Sequence, residues 1–219
     1  IEGWTFAQIR KVLNEHPAIE YKSAGLSDQQ ILQHIGASET AVEGIFFPDT
    51  YYFIKGSSDL DILQRAYKTM QNHLQNYWSE RVESLPLNTP YEALILASII
   101  EKETGAESDR AEIAGVFINR LRKGMKLQTD PTVIYGLGEQ FDGNLRKKDL
   151  LADQEYNTYT RAGLPPTPIS LPSLASIRAA LNPAETDALY FVAKGNGESE
   201  FSTNLADHNK AVNKYQKQQ

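Results

Sequence analysis

Two glutamates two residues apart, Glu101 and Glu103, stand where a long uncharged stretch runs out into polar sequence. Positions 93–100 carry no charge and only one polar residue, Ser98. Glu101 follows Leu94 and Ala97 at seven and four residues, so helical geometry places it on their face, beside the core. A carboxyl group there meets the negative end of its own helix and loses solvent on its apolar side, and both effects favour the neutral acid. That is the state a general acid working near neutral pH needs. The plainer reading is that Glu101 and Glu103 cap a solvated helix end and pair with Arg110 or Lys102. Other polar side chains able to hold hydroxyl and amide groups follow downstream: Gln128, Thr129 and Asp130 in one extended segment, and Asn157 and Tyr159 in another.

The element that must carry the glutamates is a helix over 89–105. Thr89 is its expected N-cap, Pro90 its first residue, Glu92 the return half of a capping box and Gly105 its stop. A helix apolar on all sides is a buried one. A second helix is expected from Ser108 or Asp109, with Asp109 and Glu112 as a capping box and Gly124 as stop. Its apolar stripe is Ile113, Val116, Phe117 and Leu121. The glutamates then sit at the bend of a helical hairpin. Asn119, Arg120 and Arg122 are available to the same region, although a solvated face is their ordinary role. Asp130 precedes Pro131, which ends Gln128–Asp130 extended and offers Asp130 as cap of a following turn.

Upstream, residues 1–20 read as the tail of a strand, a turn and a helix capped by Thr5. Residues 27–36 read as a short helix between Ser27 and Gly36. Glu43–Phe53 carries five aromatic residues and reads as strand, turn, strand around Pro48-Asp49. It serves either as core between lobes or as a sugar-stacking surface. Residues 58–83 form an amphipathic helix with Leu63, Ala66, Tyr67, Met70, Leu74, Tyr77 and Trp78 on one side. Three prolines and a glycine exclude regular structure across 156–170. Residues 172–181 form a helix, 189–193 and 200–203 a hairpin around Lys194–Gly197, and 204–217 a polar helix capped by Asn204. The fold class is α+β.

Composition narrows the chemistry. The chain has 219 residues and a net charge of −6, without a run of Lys or Arg, which argues against a nucleic-acid partner. It has no cysteine, so disulfides, thiolate metal sites and a cysteine nucleophile are excluded. Four scattered histidines lack metal-binding spacing. Neither a P-loop nor a dinucleotide-binding glycine pattern is present, and no apolar run reaches the 18–20 or so residues of a membrane span. No cofactor is expected.

Several motifs together resemble one family. Ala97-Ser-Ile-Ile-Glu-Lys-Glu-Thr-Gly105, Phe117-Ile-Asn-Arg-Leu121, Leu127-Gln-Thr-Asp-Pro-Thr-Val-Ile-Tyr-Gly136, Tyr156-Asn-Thr-Tyr159 and Gly163-Leu-Pro-Pro166 are similar to the YceG-like family of endolytic murein transglycosylases (MltG type). Glu43–Tyr51 fits the segment before its catalytic domain, and the likeness runs over about 40–208. The resemblance implies a partial LysM-like lobe over 1–40, then a mainly helical catalytic lobe over 41–219 with short strands and a C-terminal hairpin. It implies Glu101 as catalytic acid/base, with Glu103, Gln128, Thr129, Asp130, Asn157 and Tyr159 around the substrate. It implies peptidoglycan strands as substrate, peptidoglycan synthases as candidate partners, and a periplasmic location behind an inner-membrane anchor outside this chain. The family's Gly-Gly-His-x-Phe hairpin pattern is replaced here by Gly197-Glu-Ser-Glu-Phe201. Competing readings are a silent glycan-binding module, a two-carboxylate muramidase with Glu103 or Asp130 activating water, and a pyridoxal-phosphate lyase, for which neither Lys102 nor Lys126 has the phosphate-cradling setting.

Overall fold

A computed structural model describes residues 1–216. Its elements in chain order are α1 (Phe6–Glu15), α2 (Asp28–Ile35), α3 (Asp59–Ser79), α4 (Pro90–Glu103), α5 (Glu107–Arg122), α6 (Asp130–Leu137), a 3-10 turn (Gly138–Gln140), α7 (Lys147–Leu151), α8 (Leu174–Leu181), β1 (Tyr190–Ala193), β2 (Ser199–Ser202) and α9 (Leu205–Tyr215). The chain is thus α+β, mostly helical, with an antiparallel C-terminal hairpin. Its register pairs Tyr190 with Ser202 and Ala193 with Ser199. No helix among the described residues is long and apolar enough to cross a membrane.

Helix starts follow their caps. Thr5, Ser27 and Ser58 each accept from the third backbone N–H of the helix they open, and Gln8, Gln30 and Asp61 complete the capping boxes. Thr89 caps α4 with Pro90 behind it, but Glu92 does not return to Thr89; its carboxylate accepts from the N–H of Asn88, 2.6 Å away. α4 stops at Glu103 and not on Gly105. Thr104 turns extended, and its hydroxyl takes the N–H of Ala106 at 2.9 Å. α5 starts at Glu107 without a side-chain cap, and Ser108 spends its hydroxyl on Asp109.

α4 is the axis of the fold. Ala93 through Ile100 are all buried, and α3, α5, α6 and α8 pack around them. Its single polar core residue has a task. The Ser98 hydroxyl accepts the N–H of Ile169, and its carbonyl accepts the Ser170 hydroxyl, pinning the end of the proline-rich loop to the helix. α1 and α2 contribute Phe6, Ile31, Leu32 and Ile35 to the same apolar cluster as α3 and α4. The Gly3 N–H and Trp4 carbonyl bond Leu171.

Three expectations need correction. Residues 1–4 form a turn and not a strand end. Residues 43–53 form no strand pair: Phe46 is buried against Phe6, Phe47 packs on His73, and Tyr51 donates to the Phe47 carbonyl, so most of these aromatics are core. α3 ends at Ser79, four residues early. The last residue expected in the C-terminal helix, 217, lies outside the described residues.

Gly44 shows how closely the segments meet. It has φ +77°, and a Cβ there would lie 2.2 Å from Pro168 Cβ. Gly44→Ala combines left-handed strain with overpacking, each costing about 1–3 kcal/mol. The expected outcome in a thermal melt is a loss of about 3 kcal/mol, a fall in Tm on the order of 10 °C.

Candidate active site

Residues two apart on a helix point about 200° away from each other. At the last turn of α4 this sends the two glutamates into different environments. Glu101 turns inward, with its side chain 7% exposed. Its Oε2 accepts from the Ser173 N–H at 2.9 Å, the Ser173 hydroxyl at 2.5 Å and the Ser176 hydroxyl at 2.6 Å, while Oε1 lies 3.9 Å from an Arg110 nitrogen. Ser173 is also the N-cap of α8. The carboxylate of Glu101 therefore plugs the positive end of α8 and tethers α4, α5 and α8 together. From the sequence come the negative end of Glu101's own helix and the loss of solvent on its apolar side; the opposing terminus of α8 is a tertiary fact. Of the plainer expectation, the contact with Arg110 is present, but Glu101 sits at a buried and not a solvated helix end.

Glu103 turns the other way, toward the segment before α6. Its Oε1 accepts from the buried Thr129 hydroxyl in a short hydrogen bond. Burial pushes its carboxyl up to about 7, the neighbouring Asp130 carboxylate adds to the rise, and the Thr129 hydroxyl and the Arg120 guanidinium oppose it. Asp130 is exposed and accepts the Tyr159 hydroxyl at 2.5 Å. The Tyr159 phenol is itself raised, first by burial and then by Asp130. Asp130 opens α6 as its first residue instead of capping it; Thr129 occupies the cap position without a side-chain bond.

The platform under these groups is a threonine knot. The Gln128 N–H donates to the Thr158 carbonyl, the Thr129 N–H to the Thr158 hydroxyl, and the Thr132 and Thr158 hydroxyls meet at 2.9 Å. Gln128 projects from it, exposed, with φ +52°. The expected set Glu103, Gln128, Thr129, Asp130 and Tyr159 is thus brought together, and two of the expected roles change. Glu101 lies across the helix from the cluster. Asn157 is fully buried: its amide nitrogen donates to the carbonyls of Asp149, Leu150 and Ala152 at the end of α7, and its oxygen accepts the Tyr159 N–H. It holds the loop, with its side chain closed off from solvent.

Arg120, whose ordinary role would be on a solvated face, is buried instead. It is 7% exposed and donates to the carbonyls of Leu189, Lys126 and Leu127 and to the Gln128 side chain. A signal existed: it follows Ile113, Val116 and Phe117 at seven, four and three residues, so a charge interrupts the buried stripe of α5. Asn119 beside it donates to the carbonyls of Thr186 and Ala188.

Comparison with known proteins places this arrangement. A family model described as the YceG-like family matches residues 1–214. A Bacillus subtilis (strain 168) protein named endolytic murein transglycosylase is 45% identical over 175 residues, covering 80% of this chain and 48% of that protein. A protein of the same name from Streptococcus pneumoniae (serotype 2, strain D39) is 33% identical over 177 residues, covering 78% of this chain and 32% of that one. The chain therefore spans half or less of the length of these relatives. A crystal structure of a yceG-like protein from Listeria monocytogenes superposes with a TM-score of 0.74 at 32% identity, covering 96% of this chain and 74% of that one.

The raised carboxyls make stability depend on pH. Glu103 and Glu43, both at about 7 against an ordinary 4.5, bind their protons more tightly folded than unfolded. Stability is then greatest at low pH in this window and falls as pH rises from about 4.5 to about 7. In urea titrations, Glu103→Gln is expected to match the wild type near pH 4.5 and to exceed it above pH 7 by on the order of 2 kcal/mol.

Proposed function

Because the chain belongs to the YceG-like family, we propose that it is an endolytic peptidoglycan lytic transglycosylase in which Glu103, and not Glu101, is the acid/base. The observation that carries this choice is the contrast between the two carboxylates. Three donors and an arginine engage Glu101, whereas Glu103 has one hydroxyl partner and a carboxyl raised to about 7. A group with that value is partly protonated at neutral pH, as a general acid must be.

The reaction needs one such group. Protonated Glu103 donates to the β-1,4 glycosidic oxygen between MurNAc and GlcNAc, and the bond to C1 breaks through an oxocarbenium-like state. The MurNAc C6 hydroxyl attacks C1, its proton returns to the Glu103 carboxylate, and a 1,6-anhydro ring closes. Protons balance without water. Asp130, held by Tyr159, supplies negative charge beside the developing cation. Gln128 and the Thr129 segment hold N-acetyl and hydroxyl groups.

The wider context belongs to the same proposal: cleavage within strands ends nascent glycan elongation at the periplasmic face of the inner membrane. The anchor lies outside this chain, and peptidoglycan synthases work alongside. Residues 1–40 are the remnant of a LysM-like lobe and 41–219 the catalytic domain. Asp130 beside Glu103 also suits a muramidase in which the second carboxylate activates water.

Mass spectrometry of products from purified strands separates these readings. Glu103→Gln is expected to lose roughly 10²–10⁴-fold of anhydroMurNAc product while folding normally. Glu101→Gln is expected to lose on the order of 3 kcal/mol of stability, because it strips the partner from Arg110 and the terminus of α8. Reducing ends that vanish in Asp130→Asn would make the protein a muramidase. A folded Glu103→Gln enzyme with full activity would return the acid role to Glu101, and strands bound but never cut would leave a binding module.

A further inference from the structure

Gln128 is one of two non-glycine residues with positive φ among the described residues, and it sits in the candidate site. A glutamine in that conformation is strained and persists only where the surroundings over-determine it. Arg120 supplies much of that determination. Its Nη1 donates to the carbonyls of Lys126 (3.1 Å) and Leu127 (2.9 Å) and to the Gln128 Oε1 (3.3 Å), and its Nε donates to the Leu189 carbonyl (2.7 Å). The guanidinium lies 5.0 Å from the centre of the Tyr190 ring, on which His208 stacks at 5.2 Å. An arginine fork, unlike a lysine, can meet several carbonyls and an aromatic face at once.

Glu103 is faced by Asp130 from α6, by the Tyr159 phenol and the Thr129 hydroxyl, and by Arg120 from α5. Arg120 in turn is faced by Tyr190 from β1, by Tyr159 and Glu103, and by His208 of α9.

We propose that Arg120 is a positioning residue: it clamps the Lys126–Thr129 turn so that Gln128 is presented to substrate. The C-terminal hairpin and α9 thereby take part in the site, bracing the guanidinium through Tyr190 and His208. This rests on Glu103 being the acid.

Four variants of the chain test the clamp, assayed for kcat, KM and their pH dependence on purified glycan strands, with Tm as the folding control. Arg120→Lys keeps a charge and loses the fork; KM is expected to rise several-fold with the alkaline limb of the profile in place. Arg120→Met loses both, so KM rises at least as far. Gln128→Gly keeps the left-handed backbone at no steric cost and loses the amide; KM is expected to rise several-fold with the limb unmoved and Tm not lowered. Glu103→Gln must be inactive for any of this to apply; if it is active, the acid assignment fails and Arg120 is not tested through it but refuted with it. With Glu103→Gln inactive, wild-type KM in folded Arg120→Lys overturns the clamp. Should Arg120→Met not fold, the lysine variant and Gln128→Gly still decide the clamp: unchanged KM in Gln128→Gly removes its purpose.

Discussion

Everything in this molecule depends on how a helix apolar on every side gets out of the core. α4 is encircled by other helices along Ala93–Ile100 and must surrender its last carbonyls and its first polar side chains within one turn. Two carboxylates leave that turn on opposite sides. One is neutralised structurally, by the N-terminus of α8 and by Arg110. The other is left beside a single threonine hydroxyl and a second carboxylate. The first arrangement makes the second possible. With Glu101 locking α4 to α8, the end of the helix is rigid, and Glu103 cannot relax into water to relieve its own desolvation.

The site is accordingly a place of small local costs held by the rest of the fold. Asp130 adds to the rise of Glu103, Gln128 keeps a left-handed backbone, and Thr129 uses its side chain on Glu103 instead of capping α6. Each departs from what the segment would do alone, and each is over-determined by a neighbour: Arg120 for the turn, Thr158 for the Gln128–Thr129 backbone, Tyr159 for Asp130. Such concentrated strain is characteristic of functional positions.

Much of the scaffold was legible because it is local. Thr5, Ser27, Ser58 and Thr89 open helices where the sequence places them, since a cap and its box are settled within four residues. The hairpin over 190–202 and the irregular proline loop follow from equally local chemistry. The aromatic stretch 43–53 misled because strand propensity measures fit to a half-buried surface, and here that surface is the side of α3 and not a partner strand. α7 went unread because five residues give too little periodicity to register.

By itself the sequence determined that an uncharged helix would be buried and that glutamates would emerge at its end; it offered Gln128, Thr129, Asp130, Asn157 and Tyr159 as side chains for a ligand's hydroxyl and amide groups. The family likeness read from it put the acid/base at Glu101 and Glu103 beside the substrate; the surroundings of the two carboxylates lay beyond it. Those surroundings come from the serines of α8, about 70 residues away, meeting Glu101, and from Thr129 and Asp130 meeting Glu103. Tertiary packing likewise ties Asn157 to the end of α7 and Arg120 to the Leu127 carbonyl. A carboxyl's protonation is fixed by the charges and donors within a few ångströms of it, and only the tertiary structure decides which those are.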